Sequence, residues 1–122
     1  MPGLVNPHGG SKLQPLLLDG AALADEKKRA QSLPRVAVSS RERGDLIMLG
    51  IGGFTPLDGF MSHADWKRVC GEMKTASGLF WPIPITLSAT KQTADPIRLD
   101  SEIALVDREA GEILATMNVR EK

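Results

Sequence analysis

A glycine-rich segment, Gly50-Ile51-Gly52-Gly53-Phe54-Thr55, is the most obvious place in this sequence for chemistry. Clustered glycines let backbone N–H groups approach an anion, as they do in phosphate-binding loops. The dinucleotide-binding pattern, however, requires a third glycine where Thr55 stands, and a Walker loop requires Gly-Lys followed by Ser or Thr. We therefore predict a tight structural connection here, which is the commonest use of glycine, in preference to an anion site.

The histidines and the cysteine lack the neighbours that catalysis or metal binding requires. His8 lies in an irregular segment and His63 in the first turn of a predicted helix, and neither has a second ligand or relay group at suitable spacing. We predict that both are surface imidazoles. Cys70 is the sole cysteine, so it excludes an internal disulfide, and its place on an apolar helix face predicts a buried, inert thiol.

Two groups of charged residues could form a site. Four carboxylates lie near predicted strand ends, and we interpret them as solubilising because no partner base or nucleophile accompanies them: Asp95, Asp100, Glu102 and Asp107. Three arginines flank the glycine segment and could bind an anion or a partner's carboxylate, but we favour an ordinary helix-surface cluster because nothing distinguishes them from one: Arg35, Arg41 and Arg43. The sequence thus predicts no catalytic, substrate-binding or metal-binding residue.

Composition limits the classes of function. The 122 residues carry 15 basic and 15 acidic side chains, so bulk charge argues against nucleic acid as a partner. No apolar run approaches the roughly 18 to 20 residues of a membrane span, and the first residues do not resemble a signal peptide. We expect one cytoplasmic domain without membrane contact.

The first half of the chain predicts an irregular arm and two helices. Glycine and proline punctuate the first ten residues, and the leucines at 13 and 16–18 are expected to anchor this arm. Asp19 is placed to cap a helix that runs to about Ser32. Ser39 and Glu42 have capping-box spacing, which predicts a second helix that stops at Gly50.

A third helix has the clearest local signal. Ser62 and Asp65 form a Ser-x-x-Asp opening. Four residues at spacing i, i+3, i+4 and i+7 then predict a core-facing stripe: Trp66, Val69, Cys70 and Met73.

The strand signals come mainly from the second half. Val36 and Val38 mark one short strand, and alternation from Phe80 through Ile85 predicts another, which Pro82 and Pro84 would place at a sheet edge. Alternation at residues 102–107 and 112–119 predicts an antiparallel hairpin around 108–111, in which Gly111 supplies a positive φ. The last strand has no stop signal before Lys122. This order favours an α+β fold with mainly antiparallel strands, and makes parallel βαβ winding an unlikely arrangement.

Two stretches carry a family resemblance. The first stretch begins with Leu33-Pro34-Arg35-Val36-Ala37-Val38-Ser39-Ser40-Arg41-Glu42 and continues to Gly50-Ile51-Gly52-Gly53-Phe54-Thr55-Pro56-Leu57-Asp58-Gly59-Phe60-Met61. The second stretch is Gly78-Leu79-Phe80-Trp81-Pro82-Ile83-Pro84-Ile85-Thr86-Leu87. Both resemble the amino-terminal domain of the ATP sulfurylase (sulfate adenylyltransferase) family. The opening residues and the closing hairpin also fit, so the resemblance covers nearly the whole chain.

The resemblance implies a PUA-like β pseudobarrel with short helices, joined to a nucleotidyltransferase domain. Complete enzymes of the family make adenosine 5′-phosphosulfate and pyrophosphate from ATP and sulfate, or run the reaction backwards, with magnesium. Their nucleotide and sulfate contacts come from Gln-x-Arg-Asn and His-x-x-His segments. Gln92-Thr93-Ala94-Asp95 begins like the first but has Ala and Asp where Arg and Asn are required, and no His-x-x-His exists here.

We therefore expect residues 1–122 to be a truncated amino-terminal domain that lacks the catalytic domain and is inactive alone. No cofactor is expected in this chain. The resemblance implies a scaffold whose partners are the catalytic domain of the same enzyme and other copies in a homo-oligomer. The alternatives are an RNA-binding PUA-like module and a small anion-binding module that uses the glycine segment and Arg41.

Overall fold

The computed structural model describes residues 3–10 and 12–122. They form four helices and three strands, in the order α1 (Gly20–Ala30), β1 (Arg35–Val38), α2 (Ser40–Gly50), α3 (His63–Glu72), α4 (Lys91–Ala94), β2 (Ser101–Asp107) and β3 (Ile113–Val119). The chain divides into two compact units. Unit 1 contains the described residues up to Leu17 together with Ile47–Ile85, and unit 2 contains Leu18–Leu46 together with Thr86–Lys122.

Unit 2 is built on a sheet of three strands, in the order β1-β2-β3. β1 pairs with β2 in parallel, whereas β2 and β3 are antiparallel. The predicted α+β class is confirmed, but the prediction against parallel βαβ winding was wrong for β1 and β2, which are parallel neighbours in the sheet. The reason is that 62 residues lie between Val38 and Ser101, so the connection is long enough for a crossover.

The predicted hairpin of β2 and β3 is confirmed, with Ala104 opposite Thr116 and a positive φ of 73° at Gly111. β3 ends at Val119, before the end of the chain. Five consecutive residues of β2, from Ile103 to Asp107, are buried, which is typical of a strand covered on both faces.

The helix α1 begins after Asp19 as predicted, but the Asp19 side chain makes no capping hydrogen bond within the described residues. The helix ends at Ala30, earlier than the predicted Ser32, because the N–H groups of Gln31 and Ser32 bond three residues back instead of four. Its Glu26 carboxylate accepts a hydrogen bond of 2.8 Å from the Thr116 hydroxyl on β3, which fixes the helix to the sheet.

Unit 1 packs around Val69, Trp81 and Ile85, which are 1%, 7% and 0% exposed. Five partly buried side chains surround them: Phe54, Leu57, Phe60, Met61 and Leu79. The capping of α3 by Ser62 is confirmed, since its hydroxyl accepts the Asp65 N–H at 3.2 Å.

The prediction that one whole face of α3 is core was wrong. Of its four residues only Val69 is buried; Trp66 and Met73 are 42% and 52% exposed, and Cys70 is exposed. The periodicity identifies an apolar stripe, but the core of unit 1 covers this short helix only where Val69 lies. Burial of Cys70 was therefore also predicted wrongly.

The segment from Phe80 to Ile85 does not form the predicted strand. Phe80 makes an isolated bridge with Lys74, and Ile83 is 54% exposed. The prolines at 82 and 84 have no N–H to donate, so a ladder cannot continue. Hydrogen bonds form instead at the ends of the segment, from the Trp81 N–H to the Met73 carbonyl (2.9 Å) and from the Met61 N–H to the Ile85 carbonyl (2.8 Å).

Candidate functional site

The glycine turn, defined as Gly50 to Thr55, is an internally bonded connection in unit 1. The N–H groups of Ile51, Gly52 and Gly53 donate to the carbonyls of Ile47, Leu49 and Met48 at 3.0, 3.2 and 2.7 Å. These donors therefore do not point together at a free anion. The prediction of a tight structural connection agrees with this geometry.

The same turn holds the N-terminal arm. The Gly50 carbonyl accepts hydrogen bonds from the N–H groups of Leu16 and Leu17 at 2.9 and 3.2 Å. The buried Thr55 hydroxyl accepts the Gln14 N–H at 3.0 Å and donates to the Gly52 carbonyl at 2.7 Å. The arm thus lies on the turn, although the four leucines expected to anchor it remain between 44% and 68% exposed: Leu13, Leu16, Leu17 and Leu18.

Glycine is required at position 52 on two grounds. Its φ of 80° lies in the left-handed region that favours glycine. A Cβ there would stand 2.9 Å from Leu13 Cγ and 3.1 Å from the backbone nitrogen of Pro15. The arm can therefore approach the turn only because residue 52 has no side chain.

The two histidines are exposed, as predicted, but both contact aromatic rings in unit 1. His8 Nε2 lies 2.7 Å from the Phe80 carbonyl oxygen, and its ring centroid is 5.9 Å from that of Trp81. The ring of His63 is 5.3 Å from that of Trp66. His8 therefore fastens the arm to the Phe80 segment, a role that the sequence did not indicate.

The three arginines considered as possible anion binders each have a partner in the structure. Arg41 and Arg43 belong to unit 2, where Arg41 pairs with Asp45 at 3.0 Å and Arg43 with Asp107 at 2.9 Å. Arg35 donates to the Gln31 amide oxygen at 3.1 Å. Because each guanidinium has a partner within its own unit, none is poised as a free anion receptor.

The four carboxylates predicted as solubilising differ in their surroundings. Asp95 and Asp100 are exposed, and Glu102 pairs with Arg29 on α1. Asp107 is 7% exposed, so the prediction of a solubilising surface role was wrong for it. Its carboxylate accepts N–H groups of the following turn, with Glu109 at 2.9 Å, and pairs with Arg43.

The electrostatics of Asp107 follow from those partners. The pKa of Asp107 lies below its ordinary value because its carboxylate accepts the Glu109 N–H, which has the largest effect, and pairs with the Arg43 guanidinium. The Asp107 carboxylate is therefore ionised at neutral pH, and its oxygens are already bonded to Glu109 and Arg43. A small cavity of about 170 Å³ lies beside it, and its wall contains the same Arg43–Asp107 pair.

Glu42 is the most buried ionisable side chain described, at 1% exposure. Its Oε1 accepts the Ser39 N–H and the Ser39 hydroxyl, both at 2.8 Å, and the Ser39 hydroxyl accepts the Glu42 N–H at 3.3 Å, which confirms the capping box. Its Oε2 accepts the Ser88 N–H at 2.7 Å. Burial acts to raise the pKa of Glu42, but the N–H hydrogen bonds from Ser39 and Ser88 outweigh it, so the pKa lies below its ordinary value.

Ser88 is the partner that sequence reasoning missed. It lies 46 residues from Glu42, so no local spacing could indicate the contact. The buried carboxylate is thus a structural link between the start of α2 and the segment after Thr86. With both oxygens bonded, it is not a base available to a substrate.

The described residues hold neither a metal-ligand cluster nor an unpaired buried polar side chain. Residues 3–10 and 12–122 contain no group of three or more His, Cys, Asp or Glu side chains that could hold a metal ion. Among the same residues, every buried side-chain nitrogen and oxygen has a hydrogen-bond partner. A helix long and apolar enough to span a membrane is likewise absent from these residues.

Comparison with known proteins gives a consistent set of matches. A family model described as the PUA-like domain matches residues 5–122. The chain is 61% identical to a sulfate adenylyltransferase of Pelodictyon phaeoclathratiforme over 98% of its own length, and 60% identical to one of Thiobacillus denitrificans over 100%. In both cases it spans 30% of the relative's length.

A solved structure, a hexameric APS kinase from Thiobacillus denitrificans, shares the fold. It superposes on 94% of this chain with a TM-score of 0.79 and 35% sequence identity. The shared region is 23% of that protein. The same module is therefore found in proteins that bear two different enzyme names.

Proposed function

We propose that this chain, which belongs to the PUA-like domain family, is the non-catalytic amino-terminal scaffold domain of a sulfate adenylyltransferase. The observation that carries the proposal is the 61% identity that extends over 98% of this chain but over only 30% of the relative. The reaction proposed for the whole polypeptide is the formation of adenosine 5′-phosphosulfate and pyrophosphate from ATP and sulfate, or its reverse.

The non-catalytic role is supported by how the polar groups are used. Phosphoryl chemistry depends on cations and N–H donors that face the reacting phosphate. In the described residues the N–H groups of Ile51, Gly52 and Gly53 donate to carbonyls, and Arg41 and Arg43 are paired with carboxylates. These contacts stabilise the domain itself, and the cavity beside Arg43, about 170 Å³, is smaller than the roughly 300 Å³ at the lower end of small-molecule sites.

The two enzyme names among the similar proteins give independent support. The module is 61% identical to part of a sulfate adenylyltransferase and 35% identical to part of a protein named an APS kinase. A module common to both is better explained as a structural element than as the source of either activity. The higher identity favours a sulfate adenylyltransferase as the parent enzyme.

Partners and cofactors belong to the same proposal. The domain is expected to pack against the catalytic domain of its own polypeptide, in a cytoplasmic enzyme that forms homo-oligomers, because the similar solved structure is described as hexameric. Among the described residues no group of three or more His, Cys, Asp or Glu side chains could hold the magnesium that would accompany ATP, and we expect its ligands to come from another part of the polypeptide.

The two alternative functions are less well supported. An anion-binding module would need free donors at the glycine turn, and those of Ile51, Gly52 and Gly53 are in use. An RNA-binding module would need a basic surface, whereas the chain carries 15 basic and 15 acidic side chains.

A chimeric enzyme tests the proposal. This chain would replace the matching 30% of the Pelodictyon phaeoclathratiforme enzyme, and formation of adenosine 5′-phosphosulfate would be compared with that of the unmodified enzyme. We expect activity within about tenfold, which corresponds to about 1.4 kcal/mol in the barrier. The same enzyme with the matching residues deleted is the control, and we expect it to lose activity.

A folded chimera without activity would contradict the proposal. Far-UV circular dichroism and size-exclusion chromatography establish whether the chimera is folded before activity is interpreted. Activity of this chain on its own would equally contradict the proposed division of roles.

A further inference from the structure

Unit 1 carries a large exposed apolar surface that neither its core nor the proposed chemistry uses. Six side chains, between 36% and 68% exposed, define this arm–turn surface: Leu13, Leu16, Leu17, Ile47, Met48 and Ile51. Isolated exposed leucines are ordinary on protein surfaces, but a contiguous group of this size marks an interaction site.

The glycine turn makes the group contiguous. A Cβ on Gly50 would lie 3.0 Å from Leu17 Cδ2, and one on Gly53 would lie 2.5 Å from Met48 Cε. The leucine and methionine side chains therefore lie directly over the turn. Ile47 and Ile51 are one helical turn apart, since the Ile51 N–H donates to the Ile47 carbonyl at 3.0 Å.

The surface is distinct from the core of its own unit. That core consists of Val69, Trp81 and Ile85 with the partly buried side chains around them, and none of the six residues belongs to it. Exposing these apolar side chains to water is unfavourable. Because they do not contribute to the core of unit 1, we look for another function that explains the exposed surface.

The two chain segments that form the surface carry no charged side chain. Residues 13–18 and 46–57 contain no Asp, Glu, Lys, Arg or His. A nucleic acid or a phosphate would find no counter-charge on it, whereas the apolar face of another protein domain would match it.

We propose that the arm–turn surface is the docking site for a second domain of the same polypeptide, which covers it with an apolar face of its own. This inference rests on the proposed function, because the occupant is the remaining 70% of a chain of which this domain spans 30% in its relatives. A tethered domain has an effective concentration near the millimolar range, so it occupies the surface ahead of a second copy.

Hydroxyl-radical labelling read by mass spectrometry tests the docking. The rates of modification at Leu17, Met48 and Ile51 are measured in this chain alone and in the chimera described above. We expect the rates at these three residues to fall to less than about a fifth in the chimera, because a packed interface excludes water. Leu99, which lies in unit 2 and is 53% exposed, is the matched control and should be labelled equally in both.

Equal labelling of Leu17, Met48 and Ile51 in the two proteins would overturn the proposal. Protection that appears in this chain alone as its concentration rises would also overturn it, since the occupant would then be a second copy. The activity of the chimera distinguishes failure of the docking proposal from failure of the proposed function. An active chimera whose arm–turn surface is unprotected refutes the docking alone. An inactive chimera whose surface is protected refutes the proposed enzyme function and leaves the docking in place.

A substitution provides a second readout. Ile51→Lys should leave the unfolding midpoint of this chain within a few degrees, because residue 51 is 50% exposed. In the chimera the same change should increase the susceptibility of the domain to proteolysis by about tenfold, because the docked state is lost. An equal increase in proteolytic susceptibility in this chain and in the chimera would mean that Ile51 contributes only to the folding of unit 1. That result would contradict the docking.

Discussion

Replacement of Glu42 by glutamine tests whether this buried carboxylate stabilises unit 2. One oxygen of Glu42 accepts hydrogen bonds from Ser39 and the other accepts the Ser88 N–H at 2.7 Å. Glutamine has one oxygen, and its NH₂ group must face a donor on one of the two sides. Glu42→Gln therefore keeps the shape of the side chain but leaves a buried N–H without an acceptor.

The magnitude follows from that loss. A buried donor left without a partner costs about 1–3 kcal/mol, and hydrogen bonds to a charged acceptor are worth about 1.5–3 kcal/mol. We therefore expect Glu42→Gln to lower the free energy of unfolding by about 2 kcal/mol at pH 7. For a chain of this size that corresponds to a fall of roughly 8 °C in the melting temperature.

Urea unfolding followed by far-UV circular dichroism is the appropriate assay. Both tryptophans, Trp66 and Trp81, belong to unit 1, so fluorescence alone would report mainly on that unit. Glu72→Gln is the matched control: Glu72 has a side chain that is 62% exposed and pairs with Arg68, and its loss should change stability by less than about 1 kcal/mol.

The effect should depend on pH with a definite sign. The pKa of Glu42 in the folded chain lies below its ordinary value of 4.5, so the stabilisation is fully present above about pH 4.5 and is lost as the pH falls through the lower, folded value. The difference between the wild type and Glu42→Gln should therefore narrow below pH 4.5. A difference under about 0.5 kcal/mol at pH 7, or one that widens in acid, would refute the reasoning.

Gly52→Ala should destabilise the chain by about 1–3 kcal/mol in chemical denaturation, because φ is 80° and the new Cβ would meet Leu13. Gly71→Ala is the control: it lies in α3, a Cβ there has nothing within 4 Å, and the change should leave stability equal or higher. A larger loss of stability for Gly71→Ala than for Gly52→Ala would contradict the tight turn. Ser62→Ala should cost about 1 kcal/mol by loss of the α3 cap, measured by thermal unfolding, and no change would mean that the cap is dispensable. Cys70 should react stoichiometrically with a thiol reagent in the native chain, since it is exposed, and protection until denaturant is added would contradict its place on the surface.

Local signals predicted the elements of this fold well. The capping box at Ser39, the N-cap at Ser62 and the turn at Gly111 each depend on residues a few positions apart, and all three are confirmed. The Phe80 segment was less predictable, because alternation indicated a strand while two prolines removed the donors that a strand requires.

Contacts between distant residues were not predictable. The partners Glu42 and Ser88 are 46 residues apart, and Arg43 and Asp107 are 64 apart. Periodicity shows that α3 has an apolar stripe, but it cannot show what covers that stripe, and within unit 1 Trp66 and Met73 are left exposed. The predicted absence of catalytic residues stays a prediction.

Thermal unfolding of the purified chain with and without ATP, sulfate and adenosine 5′-phosphosulfate tests the scaffold role most directly, because a ligand that binds only the native state must raise its stability. We expect no shift of the unfolding midpoint with any of the three. A saturable shift, which at a ligand concentration 100 times the Kd amounts to about 2.7 kcal/mol, would place a substrate site in this domain and contradict a purely structural role.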